Sequence, residues 1–329
     1  VRGRRPLALI ALAGVAGLLA AIALVLGDGG AKLTPLSTVP EPSTPVVPAA
    51  APVAEPALAA EPESEDAGTA ALQYADGAFT ALFEPELTAP SYLAIDNATG
   101  EILIAKDDRA KRPIASLTKI MTALVVIEAG KLARKAQVPV EATRVEPNRE
   151  GLVAGRWYRK KLLLYSALMV SANDSADTLA AHVGEGSLRR FHRLMNARAR
   201  QLGMTDTVYT SASGLNDGTN LSSARDQAIV AREALADPVF ASIVRTPRRL
   251  VDWPPPTYKK EWINHNRMLR TYPGTYGVKT GYTTAAGGCL VVAVRRDGHD
   301  VIAVVLGSKN IWADMPRLVD AAFERLEDL

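Results

Sequence analysis

Pro35, Pro40, Pro42, Pro45, Pro48, Pro52, Pro56 and Pro62 decide how much of this 329-residue chain can build a core. They punctuate a stretch of Ala, Ser, Thr, Val and Glu in which no aromatic residue follows Gly29 until Tyr74. Such a segment buries too little apolar surface to offset the entropy of ordering it. Residues 29–89 are therefore expected to form an extended, partly polyproline linker, whose physical role would be reach. Residues 70–83 are more apolar and are a candidate for docking onto the domain that follows.

Ahead of the linker, Arg2, Arg4 and Arg5 precede an apolar run over residues 6–27, with no charge until Asp28. At about 1.5 Å per residue, a helix of that length spans roughly the 30 Å of a bilayer's hydrocarbon core. The run has no polar face, which excludes an ordinary core helix. Basic residues on its N-terminal side place that end in the cytoplasm. Residues 1–28 thus read as an N-terminal transmembrane anchor or signal segment. The run is longer than a secretory h-region, and Val25-Leu26-Gly27-Asp28 is a poor cleavage site. Under either reading the rest of the chain is expected outside the membrane.

Residues 90–329 amount to one folded domain. Residues 91–96 and 101–105 flank Asn97-Ala98-Thr99-Gly100 in a strand–turn–strand pattern. The apolar run over 117–129, closed by Gly130, predicts a buried helix with Ser116 at its N-terminus. Further helices are expected over 159–168, 175–183, 188–202, 222–235 and 238–244. The rigid loop Trp253-Pro254-Pro255-Pro256 comes next, then strands over 277–280, 288–295 and 299–306 and a last helix over 316–326. Strands at both ends around a helical middle argue for an α/β or α+β fold, with the terminal strands sharing one sheet.

Several chemistries are excluded early. A net charge of +3 is too small for nucleic-acid binding. Cys289, the only cysteine, lies in an apolar run and reads as a buried strand residue. His182, His192, His265 and His299 have no metal-ligand spacing, so neither a metal nor another cofactor is expected.

Three short motifs carry the chemistry that remains: Ser116-Leu117-Thr118-Lys119, Ser171-Ala172-Asn173 and Lys279-Thr280-Gly281. A serine hydroxyl needs a base to become a nucleophile. On a helix, positions i and i+3 share a face, so Lys119 can reach Ser116. Lys119 must be neutral for that role, and burial beside a second cation, Lys279, would lower its pKa. Ser171 could relay a proton, and Asn173 could bind a substrate amide or Lys119. Asn173 or Asp174 could equally cap the helix over 175–183. Lys279 and Thr280 suit a carboxylate, and Gly281 would let a ligand backbone approach the strand edge.

The three motifs in this order are the signature of penicillin-binding proteins and serine β-lactamases. With their surroundings (Pro113-Ile114-Ala115 before Ser116, Ser213-Gly214-Leu215-Asn216, and Gly277-Val278 before Lys279), they make residues 90–307 resemble the serine-type D-alanyl-D-alanine carboxypeptidases, the low-molecular-mass penicillin-binding proteins. The resemblance implies a penicillin-binding-protein/β-lactamase-like fold, an antiparallel sheet from both chain ends flanked by a helical subdomain. It implies Ser116 as the acylated nucleophile, Lys119 as its base, and Ser171 and Asn173 in the proton network. Lys279 and Thr280 would hold the substrate's terminal carboxylate. The backbone N–H groups of Ser116 and of the residue after Gly281 would form the oxyanion hole. The implied partners are the peptidoglycan stem peptide and β-lactams, and the implied site is extracytoplasmic, at the cell membrane.

Two departures qualify the resemblance. Many members carry a second, all-β domain and a C-terminal amphipathic anchor, a role the N-terminal segment would fill here. Some use an arginine shortly before K-T-G; here the stretch is Asn264-His265-Asn266-Arg267, and Arg267 stays unassigned. A β-lactamase of class A would need a deacylating glutamate in an E-x-x-L-N context, and none lies between Asn173 and Lys279. An endopeptidase or transpeptidase of the same fold, and a non-catalytic wall-peptide sensor, remain open alternatives. The basic clusters Arg159-Lys160-Lys161, Arg189-Arg190 with Arg193, and Arg245 with Arg248-Arg249 are expected to be solvated faces, with anionic wall polymers as the alternative contact.

Overall fold

The computed structural model describes residues 72–74, 85–215, 219–254 and 259–328. The chain divides into units 1–63 and 64–329, and every described residue belongs to the second. The apolar run 6–27, the proline stretch 35–62, Asn216, Pro255 and Pro256 lie outside the described residues. Among those described, no helix is long and apolar enough to cross a membrane.

The elements run in the order β1 (Gln73–Tyr74), β2 (Ser91–Asp96), β3 (Glu101–Lys106) and β4 (Arg112–Pro113), then a 3₁₀ turn, Ala115–Thr118, leading into α1 (Lys119–Glu128). A hairpin of β5 (Lys135–Gln137) and β6 (Trp157–Arg159) precedes the helices α2 (Lys160–Met169), α3 (Asn173–Val183) and α4 (Leu188–Gln201). After β7 (Leu221–Ser222) come α5 (Ala224–Ala236), α6 (Pro238–Val244) and a second hairpin, β8 (Arg248–Val251) with β9 (Lys260–Ile263). The chain closes with the short α7 (Met268–Thr271), β10 (Thr275–Thr283), β11 (Gly287–Arg296), β12 (His299–Ser308) and α8 (Ile311–Glu327).

Strands from both chain ends meet in one sheet ordered β1-β3-β2-β12-β11-β10, as the sequence pattern predicts. The seam is the antiparallel β2–β12 pair, from Val301 opposite Asp96 to Leu306 opposite Ser91. Among the described strands only the β1–β3 pair is parallel, Gln73 lying opposite Glu101. Along β12, Ile302, Val304 and Leu306 face the helical middle, whereas Val301, Ala303 and Val305 face α8. A sheet covered on both faces needs apolar residues at every position, which is why these strands read as continuous apolar runs. On the α8 side, Leu318, Val319 and Phe323 are buried, each contributing about 1.5–3 kcal/mol of apolar transfer.

Most boundaries shift by a few residues from the expectations, and three of the differences have a local cause or bear on the site. The helix over 316–326 begins earlier, at Ile311, because the Asn310 side chain accepts the Ala313 N–H at 3.3 Å and caps it. Pro316 lies inside this helix rather than at its start. The helix over 175–183 begins at Asn173 behind Ala172, so neither Asn173 nor Asp174 is its N-cap, although Asp174, inside the first turn, accepts the Ser175 N–H at 2.9 Å. Both side chains are used elsewhere. Ser116 belongs to the 3₁₀ turn rather than to the start of an α-helix.

Candidate active site

That 3₁₀ turn sharpens the Ser-x-x-Lys argument. With three residues per turn, positions i and i+3 eclipse one another, so the side chains of Ser116 and Lys119 stack directly. Lys119 Nζ lies 2.8 Å from Ser116 Oγ, 2.7 Å from Asn173 Oδ1 and 2.6 Å from the Ser213 carbonyl. Lys119 is 0% exposed. An ammonium would donate to all three oxygens; a neutral amine has two N–H donors and one lone pair. Asn173 Oδ1 and the Ser213 carbonyl accept only, so in the neutral form the lone pair is left for the hydroxyl proton of Ser116.

Burial pushes Lys119 down to about 7, against the pull of the Asp177 and Asp174 carboxylates. The neutral form is therefore well populated near physiological pH. Burial is the cause here, and the second cation expected to help, Lys279, is itself held well below its ordinary value by burial and then by the charge of Lys119.

Lys279 Nζ donates to Ser171 Oγ at 3.0 Å and to the Thr280 carbonyl at 2.8 Å. Its side chain lies beneath the cleft surface, 1% exposed, while Ser116, Ser171, Thr280 and Gly281 line a cleft of about 550 Å³. The three motifs thus converge, with Lys119, Asn173 and Lys279 under the floor and the two serines and Thr280 on it. The backbone is left-handed at both serine turns: Ala115, just before Ser116, has φ +46° and Ser171 itself has φ +61°. A non-glycine residue there costs about 1–2 kcal/mol, which the surrounding packing must offset.

The loop around Ser213 was visible in the sequence only as a familiar string. Its role is to present a carbonyl to Lys119. Asn220 braces it, accepting N–H bonds from Thr210 and Ser211 at 2.8 and 3.0 Å, and Thr122 on α1 donates to the Ala212 carbonyl at 2.7 Å. Gly214, at φ +86°, passes so close to Ala115 that a Cβ would lie 2.0 Å from its carbonyl oxygen. Gly281 is required for a related reason. A Cβ there would meet Ser116 N at 3.1 Å and Ile114 O at 3.0 Å, so its first duty is to let β10 seat the serine turn.

Asp174 holds the opposite wall. Fully buried, its carboxylate accepts the N–H groups of Glu150, Gly151 and Leu152 at 2.9, 2.9 and 3.0 Å. Asn173 adds two bonds to the same loop, its N–H to the Asn148 carbonyl at 2.8 Å and its side-chain amide to the Glu146 carbonyl at 3.0 Å. Asn148 thereby lines the cleft, a position no local pattern marks. Arg267 lines it too, with its guanidinium stacked 5.1 Å above the Trp312 ring. Cys289 is buried in β11 and its thiol is pushed up to about 11 by burial, as expected for an inert strand residue.

Comparison with known proteins puts this geometry in a family. The model described as D-alanyl-D-alanine carboxypeptidase, the S11 peptidases, matches residues 78–310. The chain belongs to the D-alanyl-D-alanine carboxypeptidase family. Within it, the D-alanyl-D-alanine carboxypeptidase DacB2 of Mycobacterium tuberculosis is 33% identical over 247 residues, covering 73% of this chain and 84% of the relative. A D-alanyl-D-alanine endopeptidase of Escherichia coli is 32% identical, over 73% of this chain and 79% of its own length. Among solved structures, the Streptomyces K15 DD-transpeptidase superposes with a TM-score of 0.70 at 30% identity, covering 73% of this chain and 99% of that one. The fold is that of the penicillin-binding DD-peptidases, and the protein is a serine-type hydrolase of the S11 family.

Proposed function

We propose that this protein is an extracytoplasmic D-alanyl-D-alanine carboxypeptidase that trims the terminal D-Ala of peptidoglycan stem peptides through a Ser116 acyl-enzyme. The observation that carries the reading is the environment of Lys119: buried, near-neutral in pKa, and with two of its three oxygen neighbours able only to accept. In the acylation step Ser116 Oγ attacks the penultimate D-Ala carbonyl as its proton passes to Lys119 Nζ. The backbone N–H groups of Ser116 and Tyr282 stabilise the oxyanion. The C–N bond then breaks, and the leaving D-Ala amine takes a proton through Ser171, which is hydrogen-bonded to Lys279. Water hydrolyses the resulting ester and regenerates Ser116.

Thr280 on the floor, with the Lys279 amine beneath it, holds the terminal carboxylate. β-Lactams acylate the same serine, and because the amine of the opened ring stays attached to the acyl group it cannot depart as D-Ala does, so this ester is long-lived. Residues 1–28 tether the domain to the membrane, with the linker supplying reach. Incubating the enzyme with purified muropeptides and reading the products by mass spectrometry tests the reading. Loss of one alanine is the expected result. Cleavage between cross-linked stems instead would make the chain an endopeptidase, like its E. coli relative by name. No cleavage, together with no penicillin labelling of Ser116, would remove the enzymatic reading altogether.

A further inference from the structure

The basic clusters around residues 159–161 and 245–249 are far apart in sequence and belong to no part of the catalytic cleft. Folding brings Arg159 and Lys161 of the first and Arg249 of the second to one groove. In the β5–β6 hairpin Lys135 stands opposite Arg159 and Gln137 opposite Trp157. Side chains alternate along a strand, so Trp157 and Arg159 share the outer face while Tyr158 and Ala136 are buried on the inner one. Lys161, at the start of α2, extends the same rim. From the far side, β8 contributes Arg249, whose guanidinium lies 4.0 Å above the Tyr165 ring. Together they surround a groove of about 720 Å³ floored by Trp253 and Tyr165.

Two features separate this groove from an ordinary solvated face. Its charge is one-sided: among the described residues, Lys135, Arg159, Lys161 and Arg249 form no ion pair. Asp252, the only acid in the lining, is 3.9 Å from Lys259. Its apolar content is also partly open to water, with Trp157 51% exposed and Leu250 83% exposed. Unpaired cations beside an open indole suit a ligand that carries both acid groups and flat apolar C–H surfaces. A sugar ring laid on Trp157 sheds water from both partners, and carboxylates on its substituents meet the cations. The groove is concave, whereas an interfacial membrane contact needs a protruding apolar face.

We propose that this groove is a second, non-catalytic binding site for an acidic glycan chain. On the carboxypeptidase reading, on which the identity of the occupant rests, that chain is the peptidoglycan strand itself, with its stem carboxylates seated on the basic rim. The β8–β9 hairpin connects the two sites. Arg249 and Leu250 on β8 line the groove, and Ile263 at the end of β9 lines the catalytic cleft, followed by Asn264 and His265. A strand held in the groove keeps its stem peptides close to Ser116.

The test is cosedimentation of the full chain with purified peptidoglycan sacculi, alongside turnover of a soluble D-Ala-D-Ala peptide. Trp157→Ala and the double variant Arg159→Glu/Lys161→Glu are expected to lose at least about fivefold in sacculus binding. Sacculi with amidated carboxylates should bind wild type as weakly, while soluble-peptide turnover stays unchanged in both variants. Wild-type sacculus binding by both variants would overturn the proposal. So would a loss confined to anionic phosphatidylglycerol vesicles, which would make the groove a membrane contact. If wild type fails to turn over the soluble peptide but binds sacculi through the groove, the site stands and the carboxypeptidase reading fails.

Discussion

Lys119 and Lys279 lie under the catalytic cleft at 0% and 1% exposure, whereas Lys135, Arg159, Lys161 and Arg249 ring the groove in open water. The same residue chemistry serves opposite ends. Beneath the cleft, removal from water lowers both lysines, and each Nζ is assigned to named oxygens within 3.0 Å. Around the groove the charges stay solvated and free to meet a ligand's. Burial turns a cation into a base, and exposure keeps it a charge.

The most severe challenge to this contrast is removal of the nucleophile. Ser116→Ala should lower D-Ala release by about 10⁴-fold or more and abolish covalent labelling by a fluorescent penicillin. Lys119→Arg keeps a permanent cation where a base is needed, and should slow acylation by about 10²–10⁴-fold in stopped-flow measurements. If it acylates at the wild-type rate, Lys119 is not the base. Gly281→Ala presses a methyl group toward Ser116 N, and should cost about 10²-fold in acylation because the serine turn must shift.

The pH profile probes the same burial more gently. On the proposed mechanism the neutral amine is the active form, so acylation should be lost as pH falls through about 7, by roughly tenfold per unit below it. A profile that stays flat down to pH 5 would mean that Lys119 titrates elsewhere. The smallest effect on chemistry and the largest on stability is expected from Asp174→Asn. Replacing a charged acceptor of four backbone N–H groups should lower unfolding stability by about 2–3 kcal/mol, read from denaturant titration.

Much of the fold was legible because its signals are local. Helix α6 matches its expected span of 238–244 because Asp237 and Pro238 mark its start, the Asp237 carboxylate accepting the N–H groups of Val239 and Phe240. The sheet strands showed as apolar runs, although β10 and β12 extend beyond their predicted ends. The short strands β4 to β9 carried no such signal, since two to four residues hold too little periodicity to read. Pro316 misled the last helix boundary, because a proline inside a helix reads locally as a start.

The site divides in the same way. Sequence alone singled out the candidate side chains: Ser116, Lys119, Ser171, Asn173, Lys279 and Thr280 stand in short motifs whose residue types suit the proposed chemistry. Only the tertiary structure decided what surrounds each of them. The Ser213 carbonyl reaches Lys119 across 94 positions, and Ser171 meets Lys279 across 108. Gly281 proved to make room for the serine turn, Asp174 to hold the loop of Asn148, and Arg249 to share one groove with the distant Arg159 and Lys161. The physical reason is common to all of them. A side chain's charge state and partners depend on what folding places within a few ångströms of it, and local pattern records only its neighbours along the chain.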